Sequence, residues 1–230
     1  MRELEYLLNS LSKCLTVTLS TQSAYLKTSV LFSIVNYLSS QDKRVDFLDL
    51  DLQFSSMLAN LKTESALTSF EKMMTYCPKE SEVFDSIISL LSQKDLGRGG
   101  AIIMDSINSL QDLLRQADND PDSAKANHRA AIILTIFQEL ARNNSKLLIL
   151  SNIVRSRPHM REGEVSWEKE LVGGRMIKLK SDVVISISEG QSEEAKFSNK
   201  IRLEIVSVSE NCDTDLKPGQ IIELEYQEQV

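Results

Sequence analysis

Short buried strands that alternate with helices constrain this chain more than any other feature. Apolar stretches predict strands at Leu15–Ser20, Arg44–Leu50, Ala101–Met104 and Lys146–Ile153. Helical patterns are found between them, at Ala24–Ser39, from Phe54 to Leu61, and at Ser65–Tyr76, Ser81–Gln93 and Ala124–Asn143. Apolar strands separated by helices are typical of a parallel sheet that is covered on both faces. The predicted fold class is therefore α/β.

The apolar pattern changes to a period of two in the last quarter of the chain. Asp182–Ile187, Ile201–Val208 and Ile221–Tyr226 follow this pattern, with polar turns between them. A two-residue period with short polar turns predicts antiparallel strands. We expect these strands to extend the same sheet, so that residues 1–230 form a single domain.

The first predicted strand and the helix after it are joined by TQSAYLKT, Thr21–Thr28. A strand, an eight-residue turn ending in Lys-Thr, and a helix is the layout of the phosphate-binding P-loop, G-x-x-x-x-G-K-[ST]. Lys27 and Thr28 occupy the positions from which a P-loop contacts phosphate and Mg²⁺. This segment therefore marks a candidate nucleotide site.

The two glycine positions of this motif hold Thr21 and Leu26. A P-loop wraps phosphate with backbone N–H groups, which needs positions without side chains and often positive φ angles. A β-branched threonine disfavours such a conformation, and the Leu26 side chain would crowd the phosphate. We therefore expect Mg-ATP to bind weakly at best, with no cofactor. The favoured alternative is a solvated Lys27 beside a helix-start Thr28.

Polar residues also end the next three strands, in LDLDLQF (Leu48–Phe54), IIMDS (Ile102–Ser106) and LSN (Leu150–Asn152). Together with Lys27-Thr28, their order and spacing resemble the RecA/RadA recombinase superfamily over roughly Leu15–Ile205. Small archaeal RadA paralogues of the RadC type share the single-domain form. The resemblance implies a RecA-like fold, with a mostly parallel sheet, helices on both faces and C-terminal antiparallel strands.

The resemblance also implies roles for individual residues. Asp105 matches the Walker B carboxylate and Ser106 the serine after it. Asp51 stands where the family has its catalytic glutamate, one methylene shorter, and would act as base only if the chain is an ATPase. Ile153 replaces the phosphate-sensing glutamine. The implied nucleotide site is degenerate and consists of Lys27, Thr28, Asp105 and Ser106, without a resident metal.

The segment from Arg155 to Arg175 holds the densest basic cluster of the chain. The resemblance places the second DNA-binding loop of recombinases here, and we expect a flexible loop. Cationic side chains with an aromatic ring suit a single-stranded nucleic acid, because they track the backbone and stack a base. The interleaved glutamates leave a solvated loop as the alternative. The expected DNA-binding residues are Arg155, Arg157, Arg161, Trp167 and Arg175.

Charge and cysteine usage exclude several classes of protein. The net charge of −7 argues against a protein that coats duplex nucleic acid with its whole surface. Cys14, Cys77 and Cys212 show no zinc-site spacing and predict buried thiols in a reducing compartment. His128 and His159 are the only histidines, which disfavours a histidine-based metal site. With no membrane-length apolar run and no signal peptide, we expect a cytoplasmic protein without membrane contact.

These features favour a recombinase paralogue that has lost or nearly lost ATPase activity. It would act as an accessory in homologous recombination and DNA repair, contacting single-stranded DNA and an active RadA-type recombinase or another RecA-fold subunit. A homo-oligomer also stays open. The alternatives are a slow ATPase of the RecA superfamily and an inactive scaffold or signalling subunit, as in Elongator or KaiC-like proteins.

Overall fold

A computed structural model gives the structure of the protein. It describes residues 2–60, 70, 72–77, 87, 99–117, 123–161, 164–171, 174–190 and 200–225. The fold below concerns these residues.

The described strands form one sheet in the order β3-β2-β4-β5-β1-β7-β8-β9, and β6 pairs with β5 outside this path. The strands are β1 Thr16–Thr21, β2 Val45–Asp49, β3 Met73–Tyr76, β4 Ala101–Asp105, β5 Leu147–Arg161, β6 Glu164–Leu171, β7 Val183–Glu189, β8 Lys200–Val208 and β9 Ile221–Glu225.

The pairing confirms a mostly parallel sheet with antiparallel strands at its C-terminal side. All neighbours from β3 to β7 in this order run parallel, whereas β7–β8 and β8–β9 run antiparallel. One strand differs from the prediction. Asp182–Ile187 was expected to be antiparallel, but β7 lies parallel to β1 and only its other edge pairs antiparallel, with β8. The two-residue period did not distinguish these arrangements, because a strand at this junction belongs to both.

Helices cover both faces of the sheet, as predicted. They are α1 Arg2–Ser10, α2 Ala24–Ser40, α3 Gln53–Asn60, α4 Ile107–Ala117, α5 Ser123–Asn143 and α6 Gly174–Lys180. Buried residues of α1, α2 and α3 share one apolar cluster, and those of α4, α5 and α6 share the other. Along β4, Ala101 and Ile103 join the first cluster while Ile102 and Met104 join the second. This alternation explains why the strand is apolar throughout.

The predicted helix Ser65–Tyr76 is wrong at its end. Met73–Tyr76 forms β3, which pairs with β2 and lies at the edge of the sheet. The side chains here suit a half-exposed edge strand, so pairing with β2 outweighs the helical spacing upstream. Residues 65–69 lie outside the described part of the chain, and so does the predicted helix Ser81–Gln93 except for Ile87.

The expected flexible loop between Arg155 and Arg175 is also wrong. β5 continues to Arg161 and pairs with β6 as an antiparallel hairpin, and α6 begins at Gly174. Only the part of β5 up to Ile153 pairs with β1 and β4. The remainder extends beyond the carboxyl edge of the sheet as the β5–β6 hairpin. Dense charge at alternate positions concealed the strand pattern in the sequence.

The cysteines do not form three buried thiols. Cys14 and Cys212 are joined by a disulfide with Cα atoms 5.7 Å apart, and Cys77 is exposed. The bridge connects the segment before β1 with the segment between β8 and β9. In the described part of the chain, no helix is both long and apolar enough to cross a membrane.

Candidate functional site

The carboxyl ends of β1, β2, β4 and β5 bring the polar strand-end residues together. Asp49 and Asp105 are register partners on β2 and β4, and Ser20 and Asn152 are partners on β1 and β5. All four side chains are buried. In sheets of this class, ligands bind beyond the carboxyl ends of the strands. This edge is therefore the candidate site.

The connection between β1 and α2 is shorter than the expected eight-residue turn. Only Gln22 and Ser23 separate Thr21 from the first residue of α2. Ser23 caps the helix, because its Oγ accepts a hydrogen bond from the Leu26 N–H at 3.3 Å. The Lys27 N–H donates to the Ser23 carbonyl at 3.1 Å, and the Ser23 N–H donates to Thr21 Oγ1 at 3.1 Å. The N–H groups that a P-loop turns toward phosphate thus already have partners within the chain.

Two motif residues are directed away from a phosphate. Leu26 is buried in the apolar cluster beneath α2 instead of crowding the strand ends. Thr28 lies in the second turn of α2, where its Oγ1 donates to the Ala24 carbonyl at 3.0 Å and lies 3.4 Å from Gln53 Oε1. The Thr28 hydroxyl is therefore held by the helix itself.

Lys27 is not the solvated lysine that the sequence favoured. Its side chain is 0% exposed, and its Nζ forms ion pairs with Asp51 and, at 2.6 Å, with Asp105 Oδ1. The early start of α2 places Lys27 one turn into the helix, opposite the ends of β2 and β4. We call Lys27, Asp51 and Asp105 the ion triad. It occupies the position at which the family motif would direct lysine to phosphate.

Burial and charge act against each other in the ion triad. Burial alone would lower the pKa of Lys27, but Asp105 and then Asp51 outweigh it and the pKa is raised. Burial opposes ionisation of Asp51, yet hydrogen bonds from Lys27 and Ser109 hold its pKa below the ordinary value. Burial raises the pKa of Asp105 to about 6, and the charge of Asp51 adds to this while Lys27 opposes it.

Three serines complete the site. Ser106 Oγ donates to Asp51 Oδ1 at 3.0 Å, and Ser109 Oγ donates to the same oxygen. Ser151 Oγ donates to Asp105 Oδ1. The peptide bond between Asp105 and Ser106 is cis. Among the described residues, Asp105 Oδ2 is buried without a hydrogen-bond partner.

Ser109 was missed by the sequence analysis. It lies three residues after Ser106 in the first turn of α4, and this spacing puts both hydroxyls on one side of the helix. That spacing was the available signal. Ser151 was noted only as part of a strand end, and its contact with Asp105 depends on the pairing of β4 with β5.

The structure thus brings four of the five predicted nucleotide-site residues into direct contact and places the fifth beside them. Lys27, Asp51, Asp105 and Ser106 form one hydrogen-bonded cluster. Thr28 adjoins it on α2.

The predicted DNA-binding residues are divided between two elements. Arg155, Arg157 and Arg161 lie on β5 and Trp167 on β6, all in the β5–β6 hairpin, whereas Arg175 is exposed on α6. The guanidinium of Arg155 lies 3.4 Å from the carboxylate of Asp112 on α4.

The hairpin register opposes each of its arginines to an acid. The paired positions are Arg155 with Glu170, Arg157 with Glu168, and Arg161 with Glu164. Directly opposite charges on one face of an antiparallel pair stabilise it. The same pairing balances the local positive charge on which the DNA prediction rests.

No protein-family model and no curated protein matches the chain. Among solved structures, the chain is similar to the ATPase domain of a replicative helicase, with a TM-score of 0.57 and 12% sequence identity. The similarity covers 94% of this chain and 82% of that one. At this identity the likeness concerns the fold alone, and it confirms the predicted RecA-like α/β fold.

Proposed function

We propose that this chain is a RecA-like protein that does not turn over ATP and acts as an accessory in homologous recombination and DNA repair. The observation that carries the proposal is the ion triad. Lys27 is held by Asp51 and Asp105 where a nucleotide-binding lysine would meet phosphate.

Directing Lys27 to a nucleotide would break this cluster. Separating one partner from a buried ion pair costs about 3–5 kcal/mol. Phosphate would also have to displace the internal bonds of the Ser23, Leu26 and Lys27 N–H groups. Helix-terminus phosphate sites rely on several free N–H groups that converge on the anion. We therefore expect Mg-ATP to bind weakly at best.

Single-stranded DNA is the proposed nucleic-acid ligand, and the β5–β6 hairpin is its proposed contact. The hairpin extends from the sheet edge and carries three arginines and Trp167. Binding should be modest and should weaken as salt rises, because each neutralised phosphate releases counterions. Changing Arg155, Arg157 and Arg161 to Gln should weaken binding to all sequences alike in fluorescence anisotropy. Unchanged binding in that variant would place the contact elsewhere.

The proposed protein partner is an active RadA-type recombinase or another RecA-fold subunit. A chain that does not use its own nucleotide site can still present a face to a neighbouring subunit, as heterologous assemblies do. The decisive experiment mixes the purified chain with a RadA-type recombinase and measures strand exchange and ATP turnover, with and without single-stranded DNA. A change in either rate is expected. If the chain neither associates with the recombinase nor alters its activity, the accessory role fails and a scaffold role takes its place.

A slow ATPase is the second candidate, because Lys27, Asp51 and Asp105 stand together. In that case the ion triad would be a resting state that Mg-ATP opens, with Asp51 as base. Steady-state phosphate release by the purified chain separates the two candidates. Release that is lost in the Asp51→Asn variant would support the ATPase.

A further inference from the structure

A cavity of about 510 Å³ lies at the amino-terminal edge of the sheet, at the other end of the strands from the ion triad. Its wall includes Leu15 before β1, Leu147 at the start of β5 and Asp182 before β7. The last turns of α1, α2 and α5 close its sides. The volume lies within the range of small-molecule sites. We call it the basal cavity.

The charged residues that line the basal cavity are mostly basic. Lys13, Lys43, Arg142 and Lys146 face one acid, Asp182, among the described residues. Asp182 Oδ2 already accepts hydrogen bonds from the N–H groups at the start of β1, at 2.6 and 3.0 Å. In a chain with a net charge of −7, this local excess of positive charge is the reverse of the overall balance.

Lys146 forms the buried part of this charge. Its side chain is 0% exposed and its Nζ lies 2.9 Å from Asp46 Oδ2. The other oxygen of Asp46 lies 2.8 Å from Arg44 Nη2, so one carboxylate is shared by two cations. Burial lowers the pKa of Lys146, and Asp46 offsets this only in part. An anion in the cavity would stabilise the charged form of Lys146.

The lysines are not needed to satisfy the helix ends that border the cavity. The Leu38 carbonyl at the end of α2 accepts the Lys43 N–H at 3.0 Å, and the Ala141 carbonyl of α5 accepts the Lys146 N–H at 2.9 Å. These exposed ends of the helices thus use backbone donors, and the side-chain charges stay directed to the cavity or to solvent. Lys13 pairs with Asp213, but both side chains are more than half exposed, and such pairs contribute little.

We propose that the basal cavity binds a small molecule that carries a phosphate or diphosphate group. Lys43, Lys13 and Lys146 contact the anion, since their ammonium groups are strong donors to phosphate oxygens. Tyr37, Leu38 and other apolar residues of the wall accommodate an uncharged body. This site is separate from the proposed function and does not depend on it.

The test uses inorganic pyrophosphate as the probe at constant ionic strength. Amide chemical shifts of the isotope-labelled chain are followed by NMR during the titration. Saturable shifts are expected at Gly99, Gly100 and Ser145, which line the cavity, and not at residues 23–28 of the ion-triad edge. Lys43→Glu should weaken pyrophosphate binding at least about tenfold, as loss of a charge-assisted hydrogen bond does. Lys217→Glu is the matched control, because Lys217 is exposed and lies outside the cavity wall.

Three results would overturn the proposal. The first is the lack of saturable binding. The second is binding that shifts residues 23–28 instead of the cavity wall. The third is an equal loss of affinity in Lys43→Glu and Lys217→Glu, which would mark a non-specific charge effect. If Lys43→Glu fails to fold, Lys13→Gln serves as the second variant and should reduce affinity in the same direction.

Discussion

At the residue scale, the ion triad explains why the family motif is present without its loop. Lys27 has become a structural cation that neutralises two buried carboxylates. The chain could keep Lys27, Asp51 and Asp105 after losing the loop glycines because each of them depends on the others. Removing one leaves buried charge without a partner.

We predict that Lys27→Met destabilises the fold by about 3 kcal/mol, because Asp51 and Asp105 then lack their cation. Urea unfolding measures this loss. Lys178→Met, at an exposed position on α6, is the control and should stay within about 0.5 kcal/mol of the wild type. Adding Asp105→Asn to Lys27→Met should restore part of the loss. Equal stability of Lys27→Met and the control would contradict the structural role of Lys27.

The pH dependence of unfolding should carry the signature of Asp105. Its pKa is raised to about 6 from 3.8, so the folded chain binds a proton where the unfolded chain does not. Its contribution to the free energy of unfolding is therefore present at low pH and falls as pH rises between about 4 and 6. Asp51 acts in the opposite sense, because its lowered pKa gives stability that is lost as pH falls below its ordinary value. Urea unfolding from pH 4 to 7 should show the fall in the wild type, and Asp105→Asn should remove it. The same fall in both proteins would assign it to another group.

The residues of this site could be predicted from the sequence, but their arrangement could not. Strand ends in a parallel sheet meet at one edge, which is enough to bring Asp51, Asp105 and Lys27 together. The burial of Lys27 depends on the two-residue connection before α2, and no local pattern gave its length. The same geometry brings Ser109 and Ser151 to the carboxylates.

At the element scale, the β5–β6 hairpin is the main departure from expectation. Its charged positions alternate along both strands and face each other as opposite charges. From the sequence this alternation was taken for a solvated loop, because arginine and glutamate are poor strand signals. The pairing with a neighbouring strand, which gives such residues a place in a sheet, is not visible locally.

Neutralising the hairpin acids should strengthen binding of single-stranded DNA, if the hairpin is the contact. Glu164, Glu168 and Glu170 changed to Gln keep the strand length and leave the opposite arginines without acidic partners. Anisotropy titrations should then show tighter binding and a steeper salt dependence than the wild type. The matched control changes three exposed glutamates elsewhere, Glu3, Glu5 and Glu225. An equal gain in the control would indicate a general charge effect instead of a hairpin contact.

At the scale of the whole molecule, the α/β class could be predicted because strand and helix patterns alternate along most of the chain. The RecA-like order of the sheet followed from the strand-end motifs. The disulfide could not be predicted, since Cys14 and Cys212 are 198 residues apart and only the final fold brings them together. It ties the segment before β1 to the antiparallel strands at the C-terminal side.

Reduction of this disulfide should lower the free energy of unfolding by about 2–4 kcal/mol, because a long closed loop is then released in the unfolded chain. Urea unfolding with and without dithiothreitol measures the change. A Cys77→Ser background excludes exchange with the exposed thiol and should itself have no effect. The Cys14→Ser variant should match the reduced protein. Three reactive thiols in the native chain before reduction would contradict the bridge.

The central claim is that Lys27 serves the fold and no longer serves a nucleotide. Isothermal titration calorimetry with Mg-ATP tests it most directly, with Thr28→Val as the comparison, because a working site would use the Thr28 hydroxyl for Mg²⁺. We predict that the wild type shows no low-micromolar binding and that Thr28→Val gives the same trace. Low-micromolar affinity at one ATP per chain, weakened by Thr28→Val, would contradict the account.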